Sequence, residues 1–200
     1  MLNNKLRLEL KKMAIITMML TAVISLYGCE DKKKNKKSQK IETTVESVNE
    51  EETIGFKGTG YTIYTPNTWD DSKTENKSLD LMIYEKDITS DFARNLNVII
   101  EDLSKYSVMD VDKYLDAAST KLVEAGYRVD ETKDIEINGQ KATSLIYSYS
   151  TNGYSIKGLQ TYIFNDANKK MYIITYACSE SEFDSHRADG EQIISTFKFD

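Results

Sequence analysis

The chain has one histidine and two cysteines among its 200 residues, so most catalytic and metal-binding constellations cannot be assembled. A histidine base needs a nucleophile and an orienting carboxylate in a defined geometry. His186 sits beside Arg187 in a stretch of helical pattern and reads as a solvent-facing helix position. Zinc is unexpected with one histidine and one internal cysteine. Asp110, Asp112 and Asp116 invite a calcium reading, but the glycine and bidentate glutamate of an EF-hand loop are missing. The first two read instead as helix-capping residues. Gly55, Gly58 and Gly60 precede a strand and do not join strand to helix, the wrong context for cradling phosphate, and read as a flexible lead-in. No catalytic residue, metal ligand or cofactor is assigned.

The cysteines carry different meanings. Cys178 lies in the apolar run MYIITYAC and reads as a small core residue, with nothing adjacent to stabilise a thiolate. Cys29 follows Lys5, Arg7, Lys11 and Lys12 and then the uncharged segment from 13 to 28, MAIITMMLTAVISLYG. That order is the layout of an export signal, and the apolar run is shorter than the ~20 residues a spanning helix needs. Leu26-Tyr27-Gly28-Cys29 resembles the bacterial lipobox, although Tyr27 is larger than the usual occupant. The expectation is cleavage before Cys29 and acylation of its thiol, a lipid anchor on the extracytoplasmic face of a cell membrane. The alternative is an uncleaved N-terminal anchor with an incidental cysteine. Abundant Lys, Asn and Ile with one proline fit a low-GC, Gram-positive source.

Tyrosine is the other unusual element, with 13 in the chain. Tyr147, Tyr149, Tyr154, Tyr162, Tyr172 and Tyr176, with Trp69, form the candidate binding surface, because aromatic side chains give rigid amphipathic contact area. The same residues also fill half-buried strands, where aromatics pair well across a sheet.

Residues 29–55 have linker composition: Lys32, Lys33, Lys34, Lys36, Lys37 and Lys40 crowd the start, five glutamates follow, and aromatics are absent. Such a coil spans roughly 25–30 Å. Residues 56–200 make one domain, with 16 Lys and Arg against 24 Asp and Glu, a formal charge of −8. That balance disfavours nucleic acid.

Within the domain, strands are expected at Gly60–Pro66, Leu79–Tyr84 and Leu96–Glu101. A helix capped by Asp110 follows, with Val111, Tyr114, Leu115, Ala118 and Leu122 at helical spacing and Gly126 at its end. A meander comes next. Asn138-Gly139 and Asn152-Gly153 suit type I′ turns between strands 134–137, 141–150 and 155–164, and a strand at 170–178 completes it. Ser179-Glu180-Ser181-Glu182 fits a capping box. A closing helix carries Phe183, Ile193 and Ile194, and a short strand ends the chain. Leu145, Tyr147 and Tyr149 fall on one strand face and Ile146 on the other. Met171, Ile173 and Ala177 likewise oppose Tyr172, Ile174 and Tyr176, so both sheet faces need cover. The fold class is α+β: a twisted antiparallel sheet packed by two main helices.

This order resembles the PsbP-like fold family, which includes the photosystem II subunit PsbP, a nuclear Ran-binding protein and bacterial envelope proteins such as DcrB. The carrying residues are Gly60-Tyr61-Thr62-Ile63-Tyr64-Thr65-Pro66-Asn67-Thr68-Trp69 and Ile193-Ile194-Ser195-Thr196-Phe197-Lys198-Phe199. The resemblance implies a PsbP-like α/β sandwich and a binding or assembly role without catalysis. The expected partners are the membrane, through lipid on Cys29, and an envelope protein or cell-wall component. Two other functions stay open: an envelope hydrolase using paired carboxylates, and a small-ligand carrier with an apolar cavity.

Overall fold

The computed structural model describes residues 53–71, 77–86, 92–106 and 110–200. The leader, Cys29 and the linker up to residue 52 lie outside the described residues. The described elements run β1 (Thr53–Gly58), β2 (Tyr61–Pro66), β3 (Trp69–Asp71), β4 (Leu81–Glu85), β5 (Asn95–Asp102) and α1 (Val111–Glu124). Then follow β6 (Arg128–Ile137), β7 (Gln140–Thr151), β8 (Tyr154–Asn165), β9 (Lys170–Ser179), α2 (Glu180–Ser195) and β10 (Lys198–Phe199).

Turn chemistry sets the meander. Asn138 and Gly139 take φ of 49° and 79°, and Asn152 and Gly153 take 49° and 81°, the left-handed pair that a type I′ turn requires. Those turns fix β6–β7 and β7–β8 in antiparallel register. The large sheet has seven strands in the order β3-β4-β5-β9-β8-β7-β6. Beside it stands a three-stranded sheet, β1-β2-β10. The first and last strands therefore leave the single sheet expected from sequence.

Both faces of the large sheet are at least partly covered, as the alternation requires. Beneath α1 lie Leu145, Tyr147, Tyr162, Met171 and Ile173, met by Tyr114, Ala118 and Leu122. Asp110 caps α1 by accepting from the Lys113 backbone N–H at 3.1 Å, and Asp112 stands in the first turn against the positive end of the helix dipole. On the other face, Ile146, Leu159, Ile163, Tyr172, Ile174 and Tyr176 pack under α2 and the small sheet. An aromatic group ties the two sheets together. Tyr61 stacks on Phe197 at 5.0 Å, and Tyr172 meets Phe197 and Phe199 edge-on at 5.8 and 5.0 Å. Each such pair adds about 0.5–1.5 kcal/mol beyond its buried area.

Two local expectations need correction. Residues 53–58 are not a flexible lead-in but strand β1, whose first residue stands three before position 56. Gly58 lies opposite Tyr61, whose ring occupies the space a β-carbon there would need. Its glycine serves packing, not mobility. Ser179 occupies the N-cap of α2, but its side chain makes no capping hydrogen bond. β3, beginning at the buried Trp69, is only three residues long, too short for alternation to reveal.

Candidate functional site

The sheet face under α2 is only partly covered. α2 packs over β8 and β9, and the outer strands β6 and β7 are left to line a groove of about 890 Å³ between themselves, α2 and the small sheet. Strand register lays out its floor in rows. Ile135, Ala142 and Ile163 form one apolar row, and Ile146 and Leu159 another beyond it. Between them runs a polar row, Lys133, Ser144 and Thr161. Thr161 is 1% exposed, and its Oγ1 has no hydrogen-bond partner. A buried hydroxyl left unmatched costs about 1–3 kcal/mol. This one lines an open groove, where a bound molecule can supply the partner.

The rim is electrostatically locked. Arg187 on α2 reaches across to Glu131 on β6, with Nη1 donating to Oε2 at 3.0 Å and Nη2 to Oε1 at 3.3 Å. Its Nε donates to Glu191 at 2.7 Å. The hydrogen bond from Arg187 holds the Glu131 carboxyl below its usual range, and the same bond raises the guanidinium further. A bidentate pair of this kind fixes geometry as well as charge, so the spacing of α2 from β6 is set here.

A smaller compartment of about 250 Å³ adjoins the groove; Tyr64, Gln192 and Thr196 line both. Next to it runs a chain of polar contacts. Arg94 Nε donates to Glu85 at 2.5 Å, Arg94 Nη1 lies 2.5 Å from His186 Nε2, and His186 Nδ1 lies 2.9 Å from Asp189 Oδ2. Guanidinium only donates, so Nε2 must accept and Nδ1 must carry the hydrogen toward Asp189. His186 is thus not a solvent-facing position: its side chain is 31% exposed and engaged at both nitrogens. Sequence spacing missed this because Glu85 and Arg94 come from a different part of the chain.

The aromatic residues singled out from sequence do not form one surface. Tyr147 and Tyr162 are buried beneath α1, and Tyr149 joins Tyr127 and Tyr147 there, with ring centroids 4.5 Å from Tyr127 and 6.1 Å from Tyr147. Trp69, Tyr172 and Tyr176 are buried on the opposite face. Tyr154 packs with Phe92 in a third cluster. The period-2 pattern assigns them to opposite faces and to the interior. On the α1 side lies a narrow cavity of about 50 Å³. There Tyr114 Oη donates to Glu101 at 2.7 Å, and burial raises the Glu101 carboxyl above its usual range.

Cys178 is wholly buried, and burial pushes its thiol up to about 12. Among the described residues no group of three His, Cys, Asp or Glu side chains is placed to hold a metal ion. Also among those residues, no helix is long and apolar enough to cross a membrane.

Residues 51–199 match the PsbP family profile. The chain belongs to the PsbP family. Solved structures agree at the level of fold. The cyanobacterial PsbP (CyanoP) of Synechocystis sp. PCC 6803 superposes with a TM-score of 0.56 at 18% identity, over 74% of this chain and 93% of that one. LpqN of Mycobacterium tuberculosis, described as involved in cell envelope biogenesis, gives 0.55 at 14% identity, over 73% and 89%. The Saccharomyces cerevisiae Ran-binding protein Mog1p gives 0.50 at 9% identity, over 70% and 90%. No curated protein sequence matches the chain. The Gly60–Trp69 segment is β2 with the start of β3, and Ile193–Phe199 is the end of α2 with β10. Those two segments meet, since Phe199 pairs with Tyr61.

Proposed function

We propose that this PsbP-family chain is a lipid-anchored, extracytoplasmic binding module that takes a peptide segment of an envelope protein into the groove beside α2. The observation that carries the reading is the groove floor, where the unpartnered Thr161 hydroxyl lies in a polar row between apolar rows. A peptide matches that layout, with backbone donors and acceptors running between apolar side chains. The leader, the lipobox-like Leu26–Cys29 and the charged linker support the anchored address, and the envelope role in the description of LpqN agrees with it.

Catalysis is not part of the proposal. Glu131 and Glu191 are bound by the same guanidinium, and Glu131 is held ionised. A hydrolytic pair needs one carboxyl that keeps its proton to act as acid. A second reading, small-ligand carriage, is favoured by the groove volume, which falls within the roughly 300–1,000 Å³ of ligand pockets.

A photo-cross-linking residue placed at Ile135, on the groove floor, tests the peptide reading in intact cells. Discrete protein adducts are expected from position 135. They should be missing from Thr132, the exposed neighbour on the opposite face of β6. Equal adducts from both positions, or none from 135, would overturn it. A small molecule retained by the purified protein and released by denaturation would favour the carrier instead.

A further inference from the structure

The 250 Å³ compartment has a composition unlike that of the groove. Trp69, Tyr64 and Tyr176 supply aromatic surface, Glu85 and Asp189 supply carboxylates, and no basic side chain lines it. Tyr176 is fully buried, yet its hydroxyl has no hydrogen-bond partner. Arg94, and less strongly Asp189 and Glu85, act electrostatically on that hydroxyl, so it faces the Arg94–Glu85 pair as well as Asp189. Trp69 lies 6.3 Å from the Tyr176 ring, centroid to centroid.

The local charge is not balanced. Glu85 has Arg94 as its counter-ion, but Asp189 has only the His186 Nδ1 hydrogen, because Arg94 already occupies Nε2. Glu182 Oε2, which also acts on Arg94, is buried with no partner. Three carboxylates therefore share one guanidinium. Aromatic faces and excess negative charge both attract a cation, and an ammonium group donates hydrogen bonds to carboxylate and hydroxyl oxygens alike. The volume is below the usual range for drug-sized ligands, so the fitting molecule is small.

We propose that this compartment is a binding site for an alkylammonium group, walled by Trp69, Tyr64 and Tyr176, with Asp189 as its counter-ion and Glu85, paired with Arg94, as a further acceptor. The ammonium donates to the Tyr176 hydroxyl and to the carboxylates, and its alkyl chain lies along Trp69 and Pro66. The site adjoins the groove and shares Tyr64 with it, but it does not rest on the peptide reading, for Thr161 takes no part in it.

Trp69 is the chain's one tryptophan, so its fluorescence reports on this wall directly. The test titrates the purified protein with n-butylammonium chloride, n-butanol and sodium butyrate, with sodium chloride matching the ionic strength. A saturable change with butylammonium is expected, and the neutral and anionic isosteres should bind at least about tenfold more weakly, the scale of a charged hydrogen bond. Glu85→Gln and Asp189→Asn should each weaken butylammonium by a similar factor. Asp189 is largely exposed, so its variant keeps the fold. Thr161→Val should leave the titration unchanged, separating this site from the groove. Equal responses to butanol and butylammonium, no saturable response to butylammonium, or parental affinity in both carboxylate variants would overturn the proposal.

Discussion

Glu101 is a carboxylate placed where its charge is unwelcome. Burial outweighs the Tyr114 hydrogen bond and the attraction of Lys121, so its affinity for a proton rises above the ordinary value of 4.5. The folded chain then holds that proton more tightly than the unfolded chain. Stability therefore falls as pH climbs from the ordinary carboxylate range through the raised value, and below both values the penalty is absent. Glu101→Gln keeps an acceptor for Tyr114 and removes the charge. Thermal denaturation should give the variant a higher Tm than the parent at pH 7 and the same Tm near pH 3. A gain of equal size at both pH values, or a loss at pH 7, would rule this account out. Residue roles of this kind were legible in the sequence where neighbours along the chain decide them. Asp110 caps its helix by accepting from a backbone N–H three residues on, and Cys178 sits inside an apolar run. They were illegible where the partner is distant, as for His186 with Arg94. Thr161 was a readable signal left unread: it shares a strand face with the buried Leu159 and Ile163, so a hydroxyl there points into the core.

At the scale of elements, the approach of α2 to the sheet depends on one small residue. A β-carbon at Gly190 would stand 2.6 Å from Cδ1 and 2.7 Å from Cγ of Tyr176, closer than packed atoms can be. Inside a helix, glycine costs about 1 kcal/mol relative to alanine, so propensity alone predicts that Gly190→Ala stabilises. Overpacking typically costs about 1–3 kcal/mol, and the obstacle here is the base of a buried ring, not the far end of a flexible side chain. The variant should lose stability on balance, with its Tm lower by about 2–4 °C for each kcal/mol lost. An unchanged or higher Tm would show that α2 sits farther from β9 than these distances state. The elements themselves were largely readable. Asn-Gly turns, a capping aspartate and helical spacing all act within a few residues, and they put both helices and the meander in place. Lost were β3, too short to show a pattern, and the separation of β1, β2 and β10 into their own sheet. That separation rests on pairing between Tyr61 and Phe199, a contact that no local rule encodes.

For the whole molecule, the proposed anchor has to hold an acidic domain at a membrane. The domain carries a formal charge of −8, which anionic lipid repels. The six lysines between 32 and 40 oppose this by about 1 kcal/mol each at most, an attraction that salt screens. Acyl chains contribute about 0.8 kcal/mol per buried CH2 and are little affected by salt, and two chains hold where one is marginal. If Cys29 is acylated, its substitution therefore removes the stronger attachment and leaves only the weak, salt-sensitive attraction of the lysines. Cys29→Ser, expressed in a bacterium with a lipoprotein pathway, should move from the membrane pellet to the soluble or released fraction at 0.5 M salt. The parent should stay in the pellet, and circular dichroism of the released variant should match that of the parent in detergent. A parent chain that, purified from the membrane, still carries residues 1–28 and an unmodified Cys29 thiol would mean that the apolar run before residue 29 is an uncleaved anchor.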